Sequence, residues 1–319
     1  MSADQVGGEA AARSGPDAPW PPVSVVVATR DRPELLKRAV RSILAQSYPG
    51  DIECVVVYDQ TPVPDKMPAE ESAGRRLRLI ANQRTPGLAG ARNTGMSSGA
   101  APLIAFCDDD DAWDAAKLRR QVELLGSGPA EFVACGVRVH HGDRVIERIP
   151  PATADLSQLA RDRLTGLHPS TFVFRRTTAE GLGPVDEQIP GSYGEDYDWL
   201  LRAARRMPIV SVQQPLVDVY WHDQSFFAER WETVAAALCY LLDKHPELTG
   251  YPAGLARIQG QVAFAQAALA RRREACRVSW QALRNNPLER RAYLALAVAS
   301  GAVSASSIVR LANRRGHGI

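Results

Sequence analysis

The run VSVVVA, from Val23 to Ala28, sets the tightest limit on how this chain folds. Its β-branched residues are nearly continuous, the mark of a strand buried on both faces. TRDRP follows, and Pro33 suits the first turn of a helix, where a missing N–H leaves no bond unmade. Leu35, Leu36, Ala39, Val40, Ile43 and Leu44 then share one face of a helix from Glu34 to Gln46. IECVVVY (Ile52 to Tyr58) reads as the second strand and LRLIA (Leu77 to Ala81) as the third. TPGLAGARNTG (Thr85 to Gly95) is a glycine-rich turn entering a short helix, and LIAFC (Leu103 to Cys107) is the fourth strand. A helix is expected from about Asp114 to Leu125. Phe132 to Val139 and Arg144 to Ile149 read as a hairpin around His141-Gly142-Asp143.

This β-α-β-β-α-β order predicts an α/β fold, a mainly parallel mixed sheet flanked by helices. Ligands in such sheets sit outside the carboxyl ends of the strands. The polar clusters that follow the strands at Val23, Ile52 and Leu103 are therefore expected on one rim. In the second half, Thr171 to Phe174, Ile209 to Val212 and Leu216 to His222 read as strands. Gly191 to Arg206 reads as a loop entering a helix. From Phe226 onward Ala, Leu and Arg dominate, and two or three amphipathic helices are expected. The division is then a disordered lead-in at 1–20, an α/β domain at 21–225 and a C-terminal helical region at 226–319.

Composition narrows the function. The 319 residues carry a net charge of +2, without the basic excess of a nucleic-acid binder. Cys54, Cys107, Cys135, Cys239 and Cys276 form no CxxC pair and read as buried thiols of a reducing compartment. Met1 to Pro19 lacks the basic start and apolar stretch of a signal peptide. Ala292 to Val309 is the stretch nearest to a membrane span, but its Ala and Ser make transfer marginal, so a core helix pair is expected. A cytoplasmic protein follows, with peripheral contact at the inner face of the plasma membrane as the alternative for the Arg-rich tail.

LIAFC ends in Asp108, Asp109, Asp110 and Asp111. Like charges so close raise one another's pKa and repel. A solvated acidic turn is the plain reading; a hard divalent cation, Mn2+ or Mg2+, explains the cluster better. Asp108 and Asp110 have D-x-D spacing, and such a metal would neutralise a diphosphate leaving group. Other users of this spacing fit less well. The phosphate loop GxxxxGK[ST] is absent, and TRDRP is not the glycine-rich basic loop of a sugar nucleotidyltransferase. A haloacid-type phosphatase would need its aspartates early in the chain, with a Thr two residues after the second.

VSVVVATRDRP, VVVYDQT, GLAGARNTG, FCDDDDAW and GEDYDWLLR, in this order, resemble the family 2 glycosyltransferases of GT-A fold over roughly Pro22 to His222. The resemblance implies a nucleotide-sugar donor, a divalent metal and inversion at the anomeric carbon. Thr29 and Arg30 would border the base and ribose, Asp59 would accept from the base, and Arg92 and Asn93 would contact the nucleotide. Asp108 and Asp109 would face the ribose and metal, with Asp110 as a metal ligand and His222 either ligating the metal or reaching the diphosphate. Asp196 would be the catalytic base beside Glu195; one carboxylate suffices for inversion, and both also suit the start of a helix. Where relatives often carry an aromatic residue, this chain has Arg30, and Tyr58-Asp59 replaces a frequent Asp-Asp pair. The nucleotide among UDP, dTDP and GDP is therefore open, with UDP the default.

The expected activity is a single sugar addition in cell-surface glycan or natural-product biosynthesis. The acceptor is glycan, lipid-linked, carrier-protein-linked or a small molecule. A non-catalytic nucleotide-sugar-binding or scaffold protein is the competing reading, and the intact acidic cluster and Asp196 count against it. The Arg-rich tail reads as a solvated helix surface; docking to a membrane, a carrier or a second copy is the alternative.

Overall fold

The structure, a computed structural model, describes residues 20–67, 72–221 and 230–314. The expected lead-in thus lies outside the described residues, Trp20 excepted, and so does His222. The first half runs β1 (Val23–Thr29), α1 (Pro33–Leu44), β2 (Ile52–Tyr58), β3 (Arg75–Ala81), α2 (Leu88–Ser98), β4 (Leu103–Asp108), β5 (Ala112–Trp113), α3 (Lys117–Gly126), β6 (Phe132–His141), β7 (Arg144–Arg148) and β8 (Thr153–Ala154). Then come α4 (Leu156–Arg161), β9 (Val173–Arg175), α5 (Arg176–Leu182), α6 (Glu195–Ala204) and β10 (Ile209–Tyr220).

β1 is central and parallel to both β2 and β4, with β3 parallel to β2 beyond. Its valines serve two cores. Val23, Val25 and Val27 join the cluster with Leu36, Val40 and Ile43 of α1, whereas Val26 joins that of Ala89 and Met96 on α2. This is the physical reason for the continuous β-branched run: both faces are covered. Thr29 pairs with Tyr58, and Ala28 with Asp108, so the strand ends form one rim as expected.

Beyond β4 the sheet departs from the parallel plan. β9 runs antiparallel to both β4 and β6. β6 uses one edge for β9 at Phe132 and Val133 and for β7 from Val137 to His141, a hairpin as predicted. Its other edge pairs with β10 in parallel. The two runs expected at Ile209 and Leu216 are one strand, irregular between Val212 and Val217. Pro215 sits at that irregularity, where a missing N–H costs no regular ladder bond. Pro169–Thr171 forms a short 3-10 turn ahead of β9. The three cysteines of the strands are buried, but Cys239 is exposed and Cys276 half-buried, contrary to the reading of all five as buried.

The C-terminal region holds five helices among the described residues, more than the two or three expected: α7 (Trp231–Lys244), α8 (Pro252–Ala268), α9 (Arg272–Asn285), α10 (Arg290–Ala299) and α11 (Ala305–Arg314). Pro246, Pro252 and Pro287, with Ala270 in the left-handed region (φ 57°), divide what composition alone reads as longer helices. Ala292 to Val309 folds as α10 and the start of α11, and no described helix is long and apolar enough to cross a membrane. The α2 face of the sheet, α6 and α7 to α10 contribute to a single apolar cluster, so the expected boundary at 225 falls between segments that share a core.

Candidate active site

A cavity of about 790 Å3 opens where β1, β2 and β4 end. Thr29, Arg30, Asp59 and Asp108 to Asp111 wall one side of it, which brings together the three polar clusters of the sequence. The acidic turn is fixed from both ends. β4 leads into it, and β5 leaves it to pair with Val217 and Asp218 of β10. Ser170 holds its middle: the hydroxyl accepts the Asp108 N–H at 2.9 Å and donates to Asp111 Oδ2 at 2.5 Å.

Each aspartate has a different environment. Thr29 Oγ1 donates to Asp109 Oδ2 at 2.7 Å. Burial pushes Asp109 up to about 6 against the pull of that hydroxyl, and Asp110 and Asp108 add to the rise. Arg32 reaches Asp110 at 2.9 Å, and Arg38 donates to the Asp110 carbonyl at 2.5 Å. Burial, then the charges of Asp108 and Asp110, lift Asp111 well above the carboxylate range. Asp108 moves the other way: burial opposes its ionisation, but Arg92 and His168 hold it below its ordinary value. Arg92 NH2 donates to Asp108 Oδ1 at 2.6 Å.

Asp109 and Asp111, raised first by burial and then by neighbouring carboxylates, mark a site short of positive charge. Asp108, Asp111 and His168 each present one ligand atom, all within 4.8 Å of one another. Two carboxylates and an imidazole fit a divalent cation, and the nitrogen favours Mn2+ over the strictly oxygen-seeking Mg2+. Neither His168 nor Asp111 is among the metal ligands that the family resemblance implies. Asp110, the expected ligand, stands beside this trio on the cavity wall, paired with Arg32.

Behind the acidic turn lies a second ionic chain. Arg92, nearly inaccessible, bridges Asp108 and Glu195. Burial pushes Glu195 up to about 7 against the pull of Arg92, and the Asp196 charge adds to the rise. Asp196 pairs with Arg163 and accepts the Tyr197 N–H at 2.8 Å, at the first turn of α6. Gly191 and Gly194 take positive φ in the loop that delivers this turn (60° and 82°), a conformation glycine adopts without strain. Glu195, Asp196, Arg92 and Asn93 are buried beneath the cavity and are not among its wall residues. The Asn93 amide donates to Val185 O and Glu187 Oε1 and accepts the Val185 N–H, which pins the loop before α6.

Asp59 also serves the protein. Its carboxylate accepts from Gly87 N–H at 3.1 Å and from Asn82 Nδ2 at 2.8 Å, and so shapes the turn entering α2. A Cβ on Gly90 would lie 2.0 Å from the Thr85 carbonyl oxygen. Backbone cannot yield at that distance, so Gly90→Ala should cost about 3 kcal/mol, seen as a lowered midpoint in thermal unfolding. An unchanged midpoint would mean that the turn has freedom this geometry denies it.

A mixed sheet with an acidic turn at its carboxyl rim defines the class: an α/β protein of GT-A architecture. S. aureus TarS 1-349 in complex with UDP-GlcNAc superposes with a TM-score of 0.55 at 15% identity, covering 92% of each chain. The mannosyltransferase PcManGT from Pyrobaculum calidifontis, in complex with GDP-Man and Mn2+, superposes at 0.53 and 20% identity over 94% of this chain and 84% of that one. In sequence, the UDP-Glc:alpha-D-GlcNAc-diphosphoundecaprenol beta-1,3-glucosyltransferase WfgD of Escherichia coli is 26% identical over 176 residues, 55% of this chain and 66% of that protein. Residues 24–183, half of the chain, match the family model for glycosyl transferase family 2, and the chain belongs to that family.

Proposed function

We propose that this chain transfers a single sugar from a UDP-sugar to a hydroxyl of a surface-glycan acceptor, with metal assistance and inversion at the anomeric carbon. One observation carries the reading: a single cavity gathers the ends of β1, β2 and β4, and Arg92 ties its acidic turn to Glu195 on α6, with Asp196 the next residue. In the reaction the acceptor oxygen bonds to the anomeric carbon as the bond to the diphosphate breaks. The diphosphate leaves with the electron pair, and the hydroxyl proton passes to the Asp196 carboxylate. A cation on Asp108, Asp111 and His168, with Asp110 beside them, would supply charge to offset the leaving diphosphate. Thr29, Arg30 and Asp59 form the wall that takes the nucleoside. Arg92 keeps Asp108 and Glu195 at fixed separation, and Arg163 orients Asp196.

Calorimetric titration with UDP, dTDP and GDP, each with Mn2+ and again with chelator, tests the reading. UDP should bind best and lose at least about tenfold in affinity on chelation. His168→Ala should remove most of that metal dependence, and thermal unfolding should show the variant folded. Equal affinity with and without chelator in the unmodified protein would refute the metal assignment.

A further inference from the structure

On the far side of the cavity from the nucleoside wall stands a different surface. Residues paired across neighbouring strands share a face. Val137 on β6 pairs with Arg148 on β7 and Val217 on β10, and Val139 pairs with Ile146 and Val219. Trp221 continues that face two residues on, its N–H donated to His140 O at 2.9 Å. Val137, Val139, Val219, Trp221 and Arg148 all wall the cavity. Arg148 is half-buried there, and its side chain makes neither hydrogen bond nor ion pair with any described residue; its guanidinium faces the Trp221 ring at 6.0 Å. Burial pulls its pKa down. A guanidinium drawn from water without a counter-ion is costly, and the cost is recovered when an anion arrives.

We propose that this three-stranded wall is an acceptor subsite, where Arg148 binds a phosphate-type anion and the valines and Trp221 hold an adjoining apolar group. The proposal rests on the transferase reading. An anion could come from the donor as well, but the topology favours the acceptor. β7 shares with β9 the β4-facing edge of β6, so β4 separates it from the β1 and β2 ends that hold the nucleoside wall. The donor side also has its own arginines, Arg30 and Arg32. The acidic turn lies on the same cavity as both surfaces, so an acceptor held on this wall presents its hydroxyl toward the reaction centre.

Farnesyl diphosphate, farnesol and inorganic pyrophosphate serve as probes, titrated into the full chain saturated with UDP. Farnesyl diphosphate should bind at least about tenfold more tightly than either of the others. Arg148→Gln should weaken it by about 10- to 100-fold, the worth of a charge-assisted hydrogen bond, while UDP affinity stays within about twofold. Arg148→Lys should restore part of the loss. Equal weakening of UDP would assign the guanidinium to the donor diphosphate instead. Pyrophosphate matching farnesyl diphosphate would remove the apolar half of the proposal, and farnesol matching it would remove the anionic half. If UDP itself does not bind, the transferase reading fails separately, and the same three probes titrated without it still decide whether the wall reads an anion.

Discussion

Asp196→Asn is expected to lower the transfer rate by about 10³-fold while leaving UDP affinity within about twofold. The substitution keeps shape: an amide oxygen still accepts the Tyr197 N–H that Asp196 Oδ1 accepts at 2.8 Å. What it removes is the basic oxygen that takes the acceptor proton. Arg163 loses its charged partner, but that side chain is 34% exposed, so water can replace the carboxylate and the fold should be little affected. The measurement is turnover and UDP binding on the same preparation, with a thermal melt as control. Matched losses in both would place Asp196 in the donor site. Unchanged turnover would move the base to a carboxylate on the cavity wall, Asp109 or Glu187.

The half of the site built from the strand ends was legible because it is local. A β-branched run followed by a polar cluster tells where a strand stops, and parallel neighbours then align those stops; Thr29, Asp59 and Asp108 meet for that reason alone. The other half depends on contacts between distant segments. His168 comes within 3.4 Å of Asp111 because β9 turns back antiparallel along β4 and carries the preceding Pro169–Thr171 turn onto the rim. Nothing in LHPSTF marks that reversal, and a lone histidine before proline carries no periodic signal. Arg163 is equally silent in sequence: it follows a six-residue helix, α4, in a stretch whose alternation of apolar and polar residues is too short to read. Arg148 escaped notice because it stands on a hairpin predicted correctly, where the pattern gives the strand but not what the cavity side lacks.

Removing Asp198 should unsettle the union of the sheet with the helical region more than any other single change there. Its buried carboxylate accepts from Arg202 Nε at 2.9 Å, from His245 Nε2 at 2.9 Å and from Lys244 Nζ at 2.7 Å. Arg202 belongs to α6, whereas Lys244 and His245 end α7, so one residue ties the helix of the proposed base to the C-terminal helices. Lys244 also reaches Asp186 at 2.6 Å. Asp198→Ala would strand a fully buried histidine and take from Arg202 its carboxylate partner, at a cost of about 3–5 kcal/mol. The same network sets an acid limit. Burial alone would raise Asp198, but the His245 hydrogen bond, Arg202 and Lys244 outweigh it and hold the carboxyl at about 2, below its ordinary 3.8. The folded state therefore binds this proton less readily than the unfolded chain. Its contribution, about 2–3 kcal/mol, is complete above roughly pH 4 and is lost as pH falls toward 2. Urea unfolding of the unmodified protein and of Asp198→Asn across that window should show the acid slope flattened in the variant. One cooperative transition is expected at neutral pH, because the apolar cluster runs from the sheet through α10. Two separated transitions, with Asp198→Ala as stable as the unmodified protein, would mean that the helices fold on their own and merely lean on the catalytic half.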